Sequence, residues 1–165
     1  MVTGFCLNRR TLQAFAKIGF AQARDGDARL LAELLEHMAD GHADFTLTFR
    51  GLCDSAEGDD NGLRALFTDP ATLDQWLLKW RERLGHEETV PSKRAAAMRA
   101  VNPAFIPRNH RIEAVISAAQ ENGDFAPFEE LLGVLATPYR DQPALAHYAE
   151  PPRPEEVVLQ TFCGT

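Results

Sequence analysis

The sequence is poor in the residues that would mark a secreted, disulfide-stabilised or membrane-spanning protein. It holds three cysteines in 165 residues, Cys6, Cys53 and Cys163. Because their number is odd and they lie far apart, they form neither a zinc-binding spacing nor an evident disulfide framework, which fits a reducing compartment. No apolar run is long enough to span a bilayer, and the start MVTGFCLNRR is too short and too polar for a signal peptide. We therefore expect a cytoplasmic protein with no membrane partner.

Positive charge is also scarce. The chain has 17 Lys and Arg residues against 24 Asp and Glu residues, which gives a formal net charge of −7. A protein that follows a nucleic-acid backbone needs a basic face, so we expect no nucleic-acid partner. Hydrophobic residues make up 45% of the sequence. A chain of this length and composition is sufficient for one globular domain with a core.

Motifs for catalysis, cofactor binding and metal binding are missing from the sequence. It has no Gly-rich phosphate loop, no G-x-S-x-G elbow and no HExxH motif. His37 and His42 are five residues apart, a spacing that does not place both side chains on one helix face. The segment EGDDNG (57–62) lacks the alternating oxygen ligands and the closing glutamate of a calcium loop. We predict no catalytic residue, no cofactor-binding residue and no metal ligand in this chain.

Apolar residues recur at helical spacing through most of the chain, which predicts an all-α fold: a compact orthogonal bundle of about seven helices. In TDPATLDQWLLKWRERL (68–84), Asp69 can cap a helix and Pro70 suits its first position. The apolar stripe of this helix comprises Leu73, Trp76, Leu77, Trp80 and Leu84. The segment DFTLTFRGL (44–52) alternates like a half-buried strand but also fits a helix face. Since a lone strand has nothing to pair with, we predict a helix there.

Two segments begin alike, GDARLLAELL (26–35) and GDFAPFEELL (123–132). In each, a glycine can end the preceding helix, and the next aspartate, Asp27 or Asp124, can cap the following helix. Six residues after each aspartate comes Glu-Leu-Leu. We interpret the pair as the same helix-turn-helix pattern used twice, and not as a solenoid repeat.

The C-terminal part of the sequence is rich in proline, with five of the ten prolines after Thr137. Such a segment should be extended and should not form an element of its own. We therefore predict a helical domain over residues 1–136 and an extended proline-rich tail, residues 137–165, packed on it.

The cluster NPAFIPRNHR (102–111) has two interpretations. In the functional one, Arg108 and His110 face an anionic ligand or the carboxylates of a partner, with a helix N-terminus adding positive potential. In the structural one, Pro107 and Asn109 begin a helix while Arg108 pairs with a nearby acid or carbonyl group. From the residues alone the structural interpretation is favoured, because nothing else in the chain converges on the cluster.

The same region resembles a known family. The segment NPAFIPRNHRIEAVISAAQENGDFAPFEELLGVLATPY (102–139), with a tail ending in TFCGT, closely resembles the C-terminal end of the SelO family (selenoprotein O, YdiU, UPF0061). GDARLLAELLEHMADGHADFTLTFRGL (26–52) and LFTDPATLDQWLLKWRERL (66–84) resemble the preceding segments. The resemblance covers about Leu12 to Thr165. It implies a protein kinase-like (pseudokinase) enzyme that transfers AMP from ATP, with magnesium, to hydroxyl groups of protein substrates.

The family's ATP-binding and metal-binding motifs belong to an upstream kinase-like region that this sequence does not contain. The resemblance therefore implies a C-terminal helical domain that is inactive alone. Its partners would be a kinase-like domain of the same or a separate chain, and protein substrates. The interdomain docking candidates are Asn102, Pro103, Arg108, Asn109 and His110. An exposed apolar patch is expected where the missing domain would sit, and it invites self-association.

Cys163 matches the position at which the family places selenocysteine or cysteine. The resemblance implies a redox-responsive thiol on the tail, while the alternative is an ordinary surface thiol. Two other functions stay open for the whole chain. One is a stand-alone helical interaction module that regulates a separately encoded partner. The other, the weakest, is a small redox protein that uses Cys163, since no second cysteine lies nearby to resolve it.

Overall fold

The computed structural model describes residues 9–158, apart from the side chain of Arg10, and the regular elements in that range are all helical. The predicted all-α fold is confirmed. In chain order the α-helices are α1 (Arg9–Lys17), α2 (Asp27–Asp40), α3 (Phe45–Ser55), α4 (Asn61–Arg64), α5 (Pro70–Leu84), α6 (Pro91–Val101), α7 (Asn109–Asn122) and α8 (Ala126–Ala136). Two 3-10 helices follow, Pro143–Ala149 and Pro154–Glu156. None of the described helices is long and apolar enough to cross a membrane.

The chain divides into two compact units, the first ending at Asn102 and the second beginning at Pro103. In the first unit, the carboxylate of Asp69 accepts a hydrogen bond of 3.0 Å from the amide of Ala71, and Pro70 occupies the first helical position of α5, as predicted. The segment with alternating apolar residues forms α3, as predicted. Asp44 caps that helix by accepting a 2.9 Å hydrogen bond from the amide of Leu47.

The core of the first unit is built around two stacked tryptophans. The rings of Trp76 and Trp80 have centroids 5.7 Å apart. Their indole N–H groups donate 2.8 Å hydrogen bonds to the carbonyl oxygens of Leu30 and Ile18, so neither buried donor lacks a partner. The buried cluster comprises Phe15, Ile18, Phe20, Leu30, Leu34, Met38, Phe49, Leu52, Cys53, Ala56, Leu63, Phe67, Leu73, Trp76, Leu77, Trp80, Leu84, Ala95 and Met98.

The predicted capping role of Asp27 is wrong. Gly26, in the left-handed conformation with φ 92°, occupies the N-cap position of α2, and no side chain caps that helix. Asp27 is instead buried at 1% exposure. Its carboxylate accepts hydrogen bonds from Nε of Arg83 at 2.6 Å and from the amide of Arg24 at 2.7 Å. The carboxylate of Asp27 therefore pairs with the guanidinium of Arg83 in α5 and does not cap α2.

In the second unit, α7 and α8 form a helical hairpin around Gly123. This glycine is left-handed, with φ 63°, at the C-terminal end of α7. The carboxylate of Asp124 accepts a 3.0 Å hydrogen bond from the amide of Ala126, the first residue of α8. Gly123 thus ends α7 as the sequence predicts, whereas Phe125 is the N-cap residue of α8 and Asp124 binds the first helical amide from one position earlier. The described core of this unit comprises Ala104, Phe105, Val115, Leu131, Val134 and Tyr148.

The proline-rich segment forms more regular structure than expected. Pro143 and Pro154 lie in the first turn of the two 3-10 helices, although the sequence predicted no element after Thr137. The fixed φ of proline suits a helix start, where its missing N–H costs no hydrogen bond. The carbonyl of Pro138 accepts hydrogen bonds from the consecutive amides of residues 104 and 105, at 2.8 and 3.1 Å. The described tail therefore belongs to the second unit.

Candidate functional site

The five predicted docking residues differ in exposure. Asn102 is fully buried at 0%, Arg108 and His110 are each 7% exposed, Pro103 is half-buried and Asn109 is exposed. In this chain, burial leaves Asn109 as the one of the five with an openly exposed side chain. A docking role for the five residues stays a prediction.

Asn102 ends the first unit and ties three of its helices together. It has φ −111° and ψ 106°, outside the helical region, as expected for the residue before Pro103. Its Nδ2 donates a 2.8 Å hydrogen bond to the carbonyl of Lys17, and its Oδ1 accepts one of 3.3 Å from Nζ of Lys17. The guanidinium of Arg50 donates a 3.0 Å hydrogen bond to its carbonyl. The end of α6 is thereby joined to α1 and α3.

The only cysteine within residues 9–158 lies beside this anchor. Cys53 is fully buried, and its thiol donates a 3.4 Å hydrogen bond to the carbonyl of Phe49, while Nδ2 of Asn102 lies 3.8 Å from the sulfur. Burial raises the pKa of the Cys53 thiol and outweighs the neighbouring groups that lower it. The thiol therefore stays protonated, and this buried position gives it no nucleophilic role.

A cleft of about 300 Å³ lies beside the N-terminus of α7. It is lined by residues 106–110 together with Pro152, Glu156, Val157 and Val158. Burial lowers the pKa of the His110 imidazole, Arg111 and Arg108 lower it further, and Glu156 opposes them. The imidazole is therefore neutral near pH 7. The cleft is lined by an arginine, a neutral histidine and a carboxylate. Because this lining carries both signs of charge, it favours neither an anionic nor a cationic ligand.

A groove of about 570 Å³ in the first unit is lined by charged side chains of α2 and α5 and the residues beside them. Five of its charged side chains pair with one another. Asp27 binds Arg83, and Glu33 contacts Lys79 at 2.9 Å and Arg29 at 3.0 Å. Hydrogen bonds from Lys79 and then Arg29 lower the pKa of Glu33. Nowhere in residues 9–158 do three or more His, Cys, Asp or Glu side chains lie close enough to hold a metal ion.

A group of exposed apolar side chains lies at the start of α8 and along it. Phe125, Phe128 and Leu132 are 60%, 44% and 53% exposed. Phe125 is the N-cap residue of α8, and the spacing of three and four residues places the three side chains on one stripe, which we call the α8 stripe. The neighbouring Leu131 and Val134 face the core instead, at 6% and 0% exposure. The stripe is a surface without catalytic chemistry.

A signal for this stripe is present in the sequence. The helix Ala126–Ala136 reads APFEELLGVLA, and its only charged residues are Glu129 and Glu130. Its apolar residues cover a wider part of the helix circumference than a helix with only one buried face requires. A count of apolar positions around the helix would therefore have separated the buried arc from the stripe.

Two residues singled out from the sequence, Cys6 and Cys163, lie outside the described range. The redox role suggested for Cys163 stays a prediction.

The chain matches a family model described as Protein adenylyltransferase SelO over residues 8–136. Among curated relatives, it is 63% identical over 150 residues to the Protein nucleotidyltransferase YdiU of Bradyrhizobium sp. strain BTAi1. It is 60% identical over 151 residues to the protein of the same name from Rhodopseudomonas palustris strain BisB18. These matches cover 90% and 91% of this chain, but 30% and 31% of the relatives. The chain therefore spans about a third of the length of the curated relatives it matches.

Proposed function

Since the chain belongs to the SelO family of protein adenylyltransferases, we propose that it is the C-terminal helical part of such an enzyme. In this proposal the chain is a scaffold and docking part that lies in the cytoplasm and does not itself bind nucleotide. The observation that carries it is the coverage, because a match at 63% identity takes in 90% of this chain but only 30% of the relative. We place ATP, magnesium and the transfer of AMP to protein hydroxyls in the other part of the family's chain.

The contacts of the described residues support a scaffold role. In the groove lined by α2 and α5, the carboxylates of Asp27 and Glu33 are held by arginine and lysine side chains of the same unit. The thiol of Cys53 is buried and protonated. The side chain of Asn102 forms hydrogen bonds with Lys17 and lies against the sulfur of Cys53. These polar groups hold the fold together, whereas a nucleotide site would leave some of them turned toward a ligand.

Calorimetric titration of ATP with magnesium into this chain tests the first half of the proposal. The full-length Bradyrhizobium BTAi1 relative serves as the positive control. We expect saturable binding by the relative and no binding heat from this chain. Binding by this chain with a Kd within tenfold of the relative's would place a nucleotide site here and contradict the proposal.

A chimera tests the second half. The 150 aligned residues of the Bradyrhizobium relative are replaced by this chain, and AMP transfer is followed as label from ATP on protein substrates. We expect the chimera to retain transfer and a variant lacking those residues to lose at least tenfold. Full activity of the deletion variant would contradict a scaffold role. If the deletion variant regains activity when this chain is added separately, the chain acts as an independent module for a separately encoded partner.

We also propose, from the family resemblance, that Cys163 is a redox-responsive thiol that forms a reversible disulfide with the kinase-like part. The chimera provides the test. Oxidation should give a cross-linked peptide containing residue 163 in mass spectra, reducing agent should remove it, and Cys163→Ser should abolish it. Absence of that peptide from the oxidised chimera would reject the disulfide.

A further inference from the structure

We propose that the α8 stripe is a contact surface for the other part of the SelO chain, which covers Phe125, Phe128 and Leu132 with apolar side chains. This inference rests on the proposed function, because it requires that the chain be part of a longer enzyme. It goes further in naming the surface, which lies in the second unit and differs from the docking candidates predicted from the sequence.

The first argument is the continuity of the stripe with the core. Phe128 and Leu132 directly adjoin the buried positions Leu131 and Val134 around α8. The helix therefore presents one wide apolar arc, of which only part is covered in this chain. A helix that is apolar over most of its circumference is typical of a buried helix. An exposed apolar patch of this kind marks a contact surface.

The second argument is the absence of charge on the stripe itself. The two acidic residues of α8 lie beside it, and one of them is already engaged. The carboxylate of Glu130 accepts a 2.7 Å hydrogen bond from the hydroxyl of Tyr148. Glu129 is exposed and borders the stripe. Two phenylalanines and a leucine with a polar border match an apolar partner surface rather than a charged ligand.

The third argument concerns the size of the stripe. With roughly 200 Å² for each phenylalanine side chain and somewhat less for leucine, the exposed fractions of Phe125, Phe128 and Leu132 leave roughly 300 Å² of apolar area. A stable complex of two separate proteins buries about 800 Å² on each partner. A second copy of this chain would also carry the same net charge of −7, which opposes association. The stripe is therefore too small to hold a homodimer by itself.

A segment of the same polypeptide does not need a contact area as large as that between two separate proteins. A tethered segment meets its surface at an effective concentration in the millimolar range, so a small apolar contact is enough to keep it bound. The match covers 30% of the Bradyrhizobium relative, so more than two thirds of a family chain is available as the occupant. Size, charge and chain length together favour the tethered segment over a second copy.

Thiol labelling of a cysteine placed in the stripe tests this inference. Phe128→Cys is introduced into this chain and into the chimera with the Bradyrhizobium relative, with Cys6 and Cys163 replaced by serine in both. Maleimide labelling is followed by mass spectrometry of the peptide that contains residue 128. The matched control is Ala126→Cys, on the same helix, exposed and off the stripe. Leu132→Cys replaces the first variant if Phe128→Cys does not fold.

We expect labelling at residue 128 to be at least tenfold slower in the chimera than in this chain, and labelling at residue 126 to change less than twofold. Equal rates at residue 128 in both proteins would overturn the inference. Slow labelling of this chain alone that becomes fast on dilution would assign the stripe to a second copy, which also overturns it. The readout does not use AMP transfer, so an active chimera with an exposed stripe would reject this surface and leave the proposed function standing.

Discussion

Two helices of this chain carry the same Glu-Leu-Leu step, one in each unit, and the surroundings of the two steps differ. In both, the first leucine is buried and the second is exposed. Leu34 and Leu35 are 0% and 40% exposed, while Leu131 and Leu132 are 6% and 53% exposed. Leu34 belongs to a cluster of nineteen buried residues, whereas Leu131 belongs to a cluster of six, counted over residues 9–158. The same local pattern is thus supported by cores of very different size.

The different core sizes indicate how much each unit depends on contacts beyond its own core. A cluster of nineteen side chains with hydrogen-bonded tryptophans is typical of a unit that is stable by itself. A cluster of six is small for independent stability, and small cores usually need a further source of stabilisation. The α8 stripe, which continues the core of the second unit to its surface, is where the proposed contact would supply it.

The largest effect is expected from Leu34→Ala in the first unit. Removing a fully buried leucine side chain leaves a cavity and costs about 3 kcal/mol of unfolding free energy. Leu35→Ala, one residue further along α2 and 40% exposed, is the matched control and should cost less than about 1 kcal/mol. Urea denaturation of the three proteins measures both. Equal losses would mean that burial does not separate the two leucines.

The next effect, about 2 kcal/mol, is expected from Asn102→Ala at the end of the first unit. The change removes the hydrogen bonds between the side chain and Lys17, and it leaves the part-buried carbonyl of Lys17 with one partner fewer. Thermal and urea unfolding measure the loss. Asn61→Ala, at an exposed position of α4, serves as the control for losing an asparagine side chain. A loss no larger than that of Asn61→Ala would show that the anchor contributes nothing to stability.

Leu131→Ala tests the stability of the smaller core in the second unit. We expect it to cost about 2 kcal/mol, less than Leu34→Ala, because a six-residue cluster can relax around the cavity. Hydrogen exchange of the α8 amides assigns the loss to this unit. Leu132→Ala, at 53% exposure, should leave that exchange almost unchanged. A loss of unfolding free energy from Leu131→Ala as large as that from Leu34→Ala would contradict the inferred difference between the two cores.

The features that could be predicted from the sequence are local ones. The cap of α5 is set by Asp69 and Pro70, which are adjacent to the helix they begin, and the end of α6 is set by the proline after Asn102. The buried positions of α5 follow from periodicity alone. These features depend on residues within a few positions of one another, so tertiary structure had little opportunity to alter them.

The features that escaped prediction depend on distant residues. Asp27 looked like a helix cap, but its partner Arg83 is 56 residues away, and the spacing around α2 contains no sign of it. The 3-10 helices in the proline-rich segment likewise belong to the second unit, in which the carbonyl of Pro138 binds the amides of residues 104 and 105, more than thirty residues away. For the candidate site, the sequence suggested a cluster at 102–110, and the structure buries Asn102, Arg108 and His110. Burial of a polar residue is decided by its tertiary surroundings.

The smallest effect concerns the pH dependence of the second unit. Burial of the Tyr148 hydroxyl, together with its 2.7 Å hydrogen bond to Glu130, raises the pKa of Tyr148 to about 12. An unperturbed tyrosine titrates near 10. Because the folded state favours the neutral phenol, this contribution to stability is fully present below about pH 10 and is lost as the pH rises through about 12.

The measurement is the ultraviolet absorbance of tyrosinate in a Tyr139→Phe background, which leaves Tyr148 as the single tyrosine of the chain. We expect its titration near pH 12 in the folded protein. Glu130→Gln removes the carboxylate but not the burial, so it should lower the pKa of Tyr148 only part of the way toward 10. A titration near 10 in the folded protein would mean that α8 and the 3-10 helix around Tyr148 open readily. The core of the second unit would then be weaker still than its six residues indicate, and the need for a covering partner at the α8 stripe would be greater.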